Sequence, residues 1–288
     1  MNTLKTGALM ALLTVLLVVA GAAINPQDPL VPATGALIFA LVLNFAMYWF
    51  SDRIALAMAG AKELPEGELP ELHRLVEEQA ALARIPKPRV YLIQSDSPNA
   101  FATGRNPEHA AVAFTTGILR LLDREELAGV VAHELAHVKN RDTLIMAVAA
   151  AVAGAITYIG VMARWMMVFG GLGGRNRSGA PSAAIGLIGL LVVAIVLPLA
   201  ALLIRLAISR AREFEADATG ARLSGRPWAL ASALEKLEMG VRRRPLQVNE
   251  GISHLFIVNP LRGQSLANLF STHPPIAERV RRLRRMAV

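Results

Sequence analysis

Four uncharged apolar runs, each about as long as a bilayer is thick, constrain this chain more than any other feature. They are Gly7–Ile24, Leu30–Phe50, Thr143–Ala163 and Ala183–Ile204. A helix rises 1.5 Å per residue, so about 20 residues approach the roughly 30 Å hydrocarbon core. Tyr48 and Trp49 close the second run, as interfacial aromatics do, and Arg164 with Trp165 closes the third. Pro198 lies inside the fourth run, which Arg205 follows. Only 18% of the residues are charged, against about a quarter in soluble domains. Buried helices of a large soluble core are the alternative, and four such runs in one chain argue against it. Ala20-Gly21-Ala22 after the first run resembles a signal-peptide cleavage site. The second run begins directly after Asn25–Pro29, so an uncleaved membrane hairpin is the expected reading.

Charge orients that hairpin. Lys5 precedes the first run and Arg53 follows the second, while Asn25–Pro29 holds no Lys or Arg. The excess of positive residues on cytoplasmic flanks places both outer ends inside. Arg164, Arg175 and Arg177 in the loop Arg164–Ser182 oppose this locally. Residues 205–288 carry 15 Lys+Arg and 7 Asp+Glu, a surplus equal to the +8 of the whole chain. The basic character therefore reads as topology and attraction to a membrane surface, not as a nucleic-acid footprint. Aromatic residues are 5% of the chain, too few for base-stacking platforms. The absence of Cys excludes disulfide scaffolds, thiol nucleophiles and Cys-ligated metals, and suits a reducing compartment. No span carries an acidic or basic residue, which argues against a solute transporter.

Four parts follow: an N-terminal hairpin over 1–50, a polar piece over 51–142, a second hairpin over 143–204 and a second polar piece over 205–288. In the first polar piece, Pro70–Arg84 repeats apolar residues at helical spacing behind a proline suited to a first turn. Arg89–Gln94 and Ala110–Phe114 read as strands, and Ser95–Glu108 between them as a polar loop. Asp123 with Glu126 forms a capping-box start for a helix through residue 137. In the second polar piece, Ser209–Leu223, Pro227–Met239 and Pro275–Arg285 read as helices. Gly171–Ser182 reads as a flexible loop, and no internal repeat is present.

The chemistry concentrates in His133-Glu134-Leu135-Ala136-His137. Residues four apart share a helix face, so both imidazoles can reach one ion, and Glu134 can meet water bound to it. Zinc so held needs a further protein ligand and keeps an open position. Glu213 is the leading candidate for that ligand. It shares a helical face with Asp217, which is placed to accept the second N–H of an imidazole, His133 first among them. Glu215 points elsewhere. Two surface histidines on an amphipathic helix are the bland alternative. His137 lies about 9 Å before the third run and Glu213 about 13 Å beyond the fourth, along continuous helices. Pairing those runs as a hairpin would bring both ligand sets together on one side, just above the lipid.

These motifs together resemble the HtpX heat-shock membrane zinc proteases. The resemblance rests on His133–His137, Asn140-Arg141-Asp142, Arg212–Asp217, Asn99–Gly104, His254–Ile257 and Thr272–Pro275, in that family's order over essentially the whole chain. Prenyl-protein-processing membrane proteases share the same two-part logic; the four spans and short length here fit the first family better. The resemblance implies a mainly α integral membrane protein: four transmembrane helices plus a zincin-like α+β catalytic domain with a small sheet. It further implies one zinc per chain and residence in a bacterial inner membrane, with the catalytic domain and both termini cytoplasmic. The expected substrates are misfolded or damaged membrane proteins, degraded as stress-response quality control.

Within that reading, zinc polarises the scissile carbonyl while Glu134 takes the water proton and passes it to the leaving amine. His273 and His254 are candidate oxyanion stabilisers, each with an ordinary structural use beside it. His73 and His109 have no supporting context. Ala110–Phe114 offers a strand edge for an extended substrate, with Ala111, Val112 and Ala113 at its centre, and the Asn99–Gly104 loop adds main-chain contacts at Asn99, Ala100 and Phe101. An ordinary sheet strand beside a solvated loop stands as the alternative. A membrane scaffold or chaperone with a structural metal is the competing function, and it has no use for Glu134.

Overall fold

The computed structural model describes residues 2–24, 27–149, 210–246, 248, 250–259 and 274–287. The first two apolar runs form helices α1 (Asn2–Ile24) and α2 (Leu30–Met58), which pack against each other. Asn44 Nδ2 donates to Thr14 Oγ1 at 2.8 Å and to the Met10 carbonyl at 3.3 Å, a polar clasp between them. Gly21 lets α2 approach so closely that a methyl there would sit 2.5 Å from Ala36 Cβ. Among the described residues, α2 is long and apolar enough to cross a membrane. Its residues Ile38, Phe39, Leu41, Val42 and Phe45 are exposed. The helix runs two turns past the expected end at Phe50, because Ser51, Asp52, Ala55 and Leu56 are buried there.

Three residues beyond α2 the chain enters a four-stranded mixed sheet. Its strands are β1 (Lys62–Glu63), β2 (Arg89–Ile93), β3 (Ala100–Thr103) and β4 (Ala111–Thr115), in the order β1-β2-β4-β3. β4 runs parallel to β2 and antiparallel to β3. Around the sheet lie α3 (Pro70–Ala83), α4 (Thr116–Leu121), α5 (Arg124–Lys139), α6 (Arg210–Ser224), α7 (Pro227–Arg243) and α8 (Ile276–Arg284). Short 3-10 turns occupy Pro107–His109 and Glu250–Leu255.

The order of the strands corrects one expectation. Ala110–Phe114 is no edge: β4 is interior and every residue of it is buried. The edge is β3, inside the segment expected to be a polar loop. Four residues flanked by Pro, Asn and Gly carry too short a pattern to read as a strand; pairing with β4 makes them one.

Alternation along the strands divides the core. Val90, Ala100, Ala102, Val112 and Phe114 face a cluster shared with α3, α5, α7 and α8. Tyr91, Ile93, Phe101, Ala111 and Ala113 face the other side, against the end of α2, residues 144–149 and the 252–256 segment. The third apolar run thus begins buried in protein; the rest of it, and the whole fourth run, lie outside the described residues.

α5 is the central helix, buried from Glu126 to Val138. Asp123 Oδ1 accepts the N–H groups of Glu125 and Glu126 at 3.0 and 2.9 Å, and Glu126 Oε2 accepts the Asp123 N–H at 3.2 Å. Such a cap contributes about 1 kcal/mol. Glu126 also binds Ser232 and Lys236, tying the start of α5 to α7.

Candidate metal centre

α5 presents His133 and His137 one turn apart, their rings 4.9 Å between centroids and nearly perpendicular. α6 crosses in front of them. Glu213 Oε2 lies 3.9 Å from His133 Nε2, and Oε1 lies 3.5 Å from His137 Nε2. One ligand atom from each residue falls within 4.8 Å of the others, and all three side chains are buried. A tetrahedral dication with bonds of about 2.0–2.2 Å separates its ligands by roughly 3.3–3.6 Å. Two imidazole nitrogens and a carboxylate at these separations therefore fit a metal ion.

Close approach of α6 depends on Gly220, on the same face as Glu213 and Asp217. A Cβ there would meet the His133 backbone nitrogen at 2.8 Å and its Cα at 2.9 Å. Gly129, one turn before His133, gives α7 a similar approach at Leu230.

A ring of charge surrounds the three residues. Asp217 Oδ1 lies 3.0 Å from His133 Nδ1, a charge contact set off the axis of the ring N–H. Arg279 Nη2 lies 3.3 Å from His133 Nε2. A guanidinium only donates, so Nε2 is the accepting nitrogen and His133 carries its proton on Nδ1, on the side of Asp217. Arg279 also grips Asp217 with two hydrogen bonds of 2.7 and 2.8 Å and stands 3.6 Å from Glu213 Oε2. His137 Nδ1 faces Asp142 Oδ2 at 3.2 Å. That contact is built by the end of α5. Asp142 N–H donates to the His137 carbonyl at 2.9 Å and Arg141 N–H to Val138 at 3.0 Å, with Arg141 left-handed at φ 57°. This is a Schellman turn, and it folds Asp142 back onto the histidine five residues before it.

Burial and charge tune these groups in opposite directions. Burial lifts the Glu134 carboxyl above the ordinary carboxylate range, and the neighbouring histidines only partly offset it. The Ala102 backbone of β3 faces that carboxyl and pulls the other way. Burial also presses His137 downward, but the Asp142 hydrogen bond and the charges of Glu213 and Glu134 prevail, raising it to about 9. Asp217 would be raised by burial, yet the Arg279 guanidinium holds it below its usual range.

Of the residues expected from sequence, His133, Glu134, His137, Glu213 and Asp217 come together. Glu215 is exposed, as expected. His254 is buried and donates from Nε2 to the Met146 carbonyl at 3.2 Å, a structural use. His273 lies outside the described residues. His73 and His109 find local partners at Pro65 and Asn106. Asn99, Ala100 and Phe101 lie at the start of the edge strand, fully buried, with Ala111, Val112 and Ala113 on the interior strand behind it. Arg279 escaped the sequence reading, and Asp142 entered it only within the motif Asn140-Arg141-Asp142, with no role assigned. Arg279 sits among three other arginines in α8, but it occupies the apolar stripe Ile276, Arg279, Val280 and Leu283, where a charge signals a buried partner. Asp142 carried the signal only through its spacing from the end of α5.

Comparison with known proteins adds to this geometry. Residues 66–287 match the model of peptidase family M48. The chain is 52% identical over 285 residues to a protease HtpX homolog of Thermococcus sibiricus, covering 99% of this chain and 96% of that protein. It is likewise 52% identical over 290 residues to a protease HtpX homolog of Syntrophotalea carbinolica, covering both chains completely. A crystal structure of S. mikatae Ste24p aligns with a TM-score of 0.47 at 20% identity, over 90% of this chain and 59% of that one.

Proposed function

The chain belongs to peptidase family M48 and, within it, to the HtpX proteases, and on that footing we propose a membrane-embedded zinc endopeptidase that cleaves misfolded or damaged membrane proteins at the cytoplasmic face. Metalloprotease activity follows from the family. The observation that carries the finer reading is the buried cluster of His133, His137 and Glu213 with Glu134 beside it.

His133, His137 and Glu213 hold the metal, and two imidazoles with a carboxylate favour zinc. Zinc there supplies Lewis acidity toward the scissile carbonyl and toward water. Glu134 takes the proton of the attacking water and returns it to the leaving amine. Its carboxyl, raised by burial, sits nearer the working pH, where one group serves best as base and then acid. Asp217 and Asp142 stand against Nδ1 of His133 and His137, so each ring presents Nε2 toward Glu213, where a metal would be held. Arg279 keeps Asp217 charged and adds positive potential at Glu213. An extended substrate pairs with the edge of β3 beside Glu134. Recognition through main chain makes sequence preference loose.

Topology completes the proposal. α1 and α2 form the first hairpin over 1–50, residues 143–204 the second, and 51–142 with 205–288 the cytoplasmic catalytic parts. This order rests on the apolar runs and on the flanking basic residues.

Purification under chelation, followed by zinc add-back with casein, tests the reading. Wild type regains proteolysis. Glu134→Gln binds about one zinc per chain and loses cleavage by orders of magnitude. Undiminished cleavage by Glu134→Gln overturns the assignment, and so does wild-type proteolysis that needs no metal.

A further inference from the structure

The outer edge of β3 already holds a peptide, and the peptide is the chain's own. Register with β4 turns the main-chain groups of Ala100 and Ala102 outward, away from the sheet. The Ala102 N–H faces Glu134. The Ala100 carbonyl accepts the Ile257 N–H at 3.0 Å. Beside it, the Asn99 side chain reads Val258 in both senses: Nδ2 donates to the Val258 carbonyl at 2.7 Å, and Oδ1 accepts its N–H at 3.3 Å. The Ile257 carbonyl accepts from Arg279 Nη1 at 3.1 Å, and the same arginine grips Asp217 behind His133. The backbone of residues 257–258 is thus read from both sides, by the edge strand and by the arginine of the metal centre.

These are the contacts that β-strand addition gives an extended polypeptide, made within ångströms of the general base. The candidate centre is closed in this state: His133, Glu134, His137 and Glu213 are 1–4% exposed. No polypeptide reaches groups so covered without a rearrangement.

We propose that residues 257–258 are an internal occupant of the substrate-binding edge, a strap that a polypeptide substrate displaces from Asn99 and Ala100 when it binds. The inference rests on the protease reading and adds what fills the edge before substrate arrives. Phe256 packs edge-on against Phe101 at 5.1 Å, and Ile252 and Leu255 are buried beside it. Those side chains anchor the segment, so the displacement is local: the peptide groups of 257 and 258 swing off β3 while Phe256 stays seated. Substrate then makes the Asn99 and Ala100 hydrogen bonds in place of the strap, so little hydrogen bonding is lost in the exchange.

Hydrogen exchange on the full-length Glu134→Gln protein, zinc-loaded and in detergent, tests this with reduced, alkylated casein as the probe. Casein binding is followed separately by fluorescence anisotropy. The Ile257 and Val258 amides are expected to be protected in the free protein and to exchange at least tenfold faster with saturating casein, while Val112 and Ala113 in β4 stay unchanged. Bound casein with unchanged or slower exchange at 257–258 overturns the strap and leaves the protease reading intact. Failure of casein to bind at all removes that reading, and the strap with it. Asn99→Ala gives a second measurement, since it removes both the donor to the Val258 carbonyl and the acceptor of the Val258 N–H. Its free protein should exchange Val258 at least tenfold faster than the parent, and identical rates count against the clamp.

Discussion

Gly220 and His133 touch through their backbones: a single methyl on the glycine would stand 2.8 Å from the histidine nitrogen. The carboxylate helix and the histidine helix are therefore as close as main chains allow. Gly220→Ala forces them apart, and overpacking of this kind costs about 1–3 kcal/mol. Because Glu213 lies on the displaced helix, zinc affinity should fall at least tenfold, about 1.4 kcal/mol. Competition with a chromophoric chelator measures it, and an unchanged affinity would show that α6 can shift without moving its carboxylate.

Glu213 and Glu215 are separated by one residue, one buried and one exposed. Glu213→Ala should abolish stoichiometric zinc in the purified protein, whereas Glu215→Ala should retain it. Metal analysis of the two variants decides the matter, and equal losses would mean the wrong carboxylate has been chosen.

The Asp217–Arg279 pair is buried on both sides. Arg279→Met leaves a buried, uncompensated carboxylate and should destabilise the fold by about 3–5 kcal/mol. Adding Asp217→Asn should recover part of that loss, because the stranded charge is gone. Denaturant unfolding of both variants gives the comparison, and no recovery in the double variant would mean that packing, not charge, sets the penalty.

His137 is raised to about 9 in the metal-free protein, above the roughly 6.5 of a free imidazole. Its protonation therefore stabilises the metal-free fold fully below about pH 6.5, a contribution lost as pH climbs through about 9. A metal needs the neutral ring, so binding near pH 7 should expel a proton, and affinity should rise about tenfold per pH unit until about 9. Titration calorimetry in buffers of different ionisation enthalpy counts that proton. Asp142→Asn removes the main raising partner and should move the plateau to lower pH; an unmoved plateau would transfer the effect to Glu213 and Glu134.

Local rules were enough for the parts of this fold that local rules determine. The capping box at Asp123, the proline start of α3 and the i, i+4 pair of histidines were readable because each signal lies within one turn of helix. The pairing of Glu213 with the histidines across some 76–80 residues was expected from ligand chemistry and from pairing the third and fourth apolar runs as a hairpin. What escaped depended on contacts distant in sequence. β3 is a strand only because β4 pairs with it, and β4 is interior only because the chain places β3 outside it. Arg279 drew no reading from the sequence, because its meaning depends on the burial of the apolar stripe around it. Asp142 reaches His137 through a left-handed residue at Arg141, a position with no glycine to announce the turn.

Only Ala59, Gly60 and Ala61 separate the end of α2 from β1, and α2 and α5 press on opposite faces of one sheet. A peptidase hung on a loose leash sweeps a volume and cuts whatever drifts through it. This one is bolted to its mast, with a single layer of strands between the lipid-length helix and the histidines. On the proposed reading, its choice of target then becomes a matter of presentation, of which segments of a substrate arrive where the short connection already points the site.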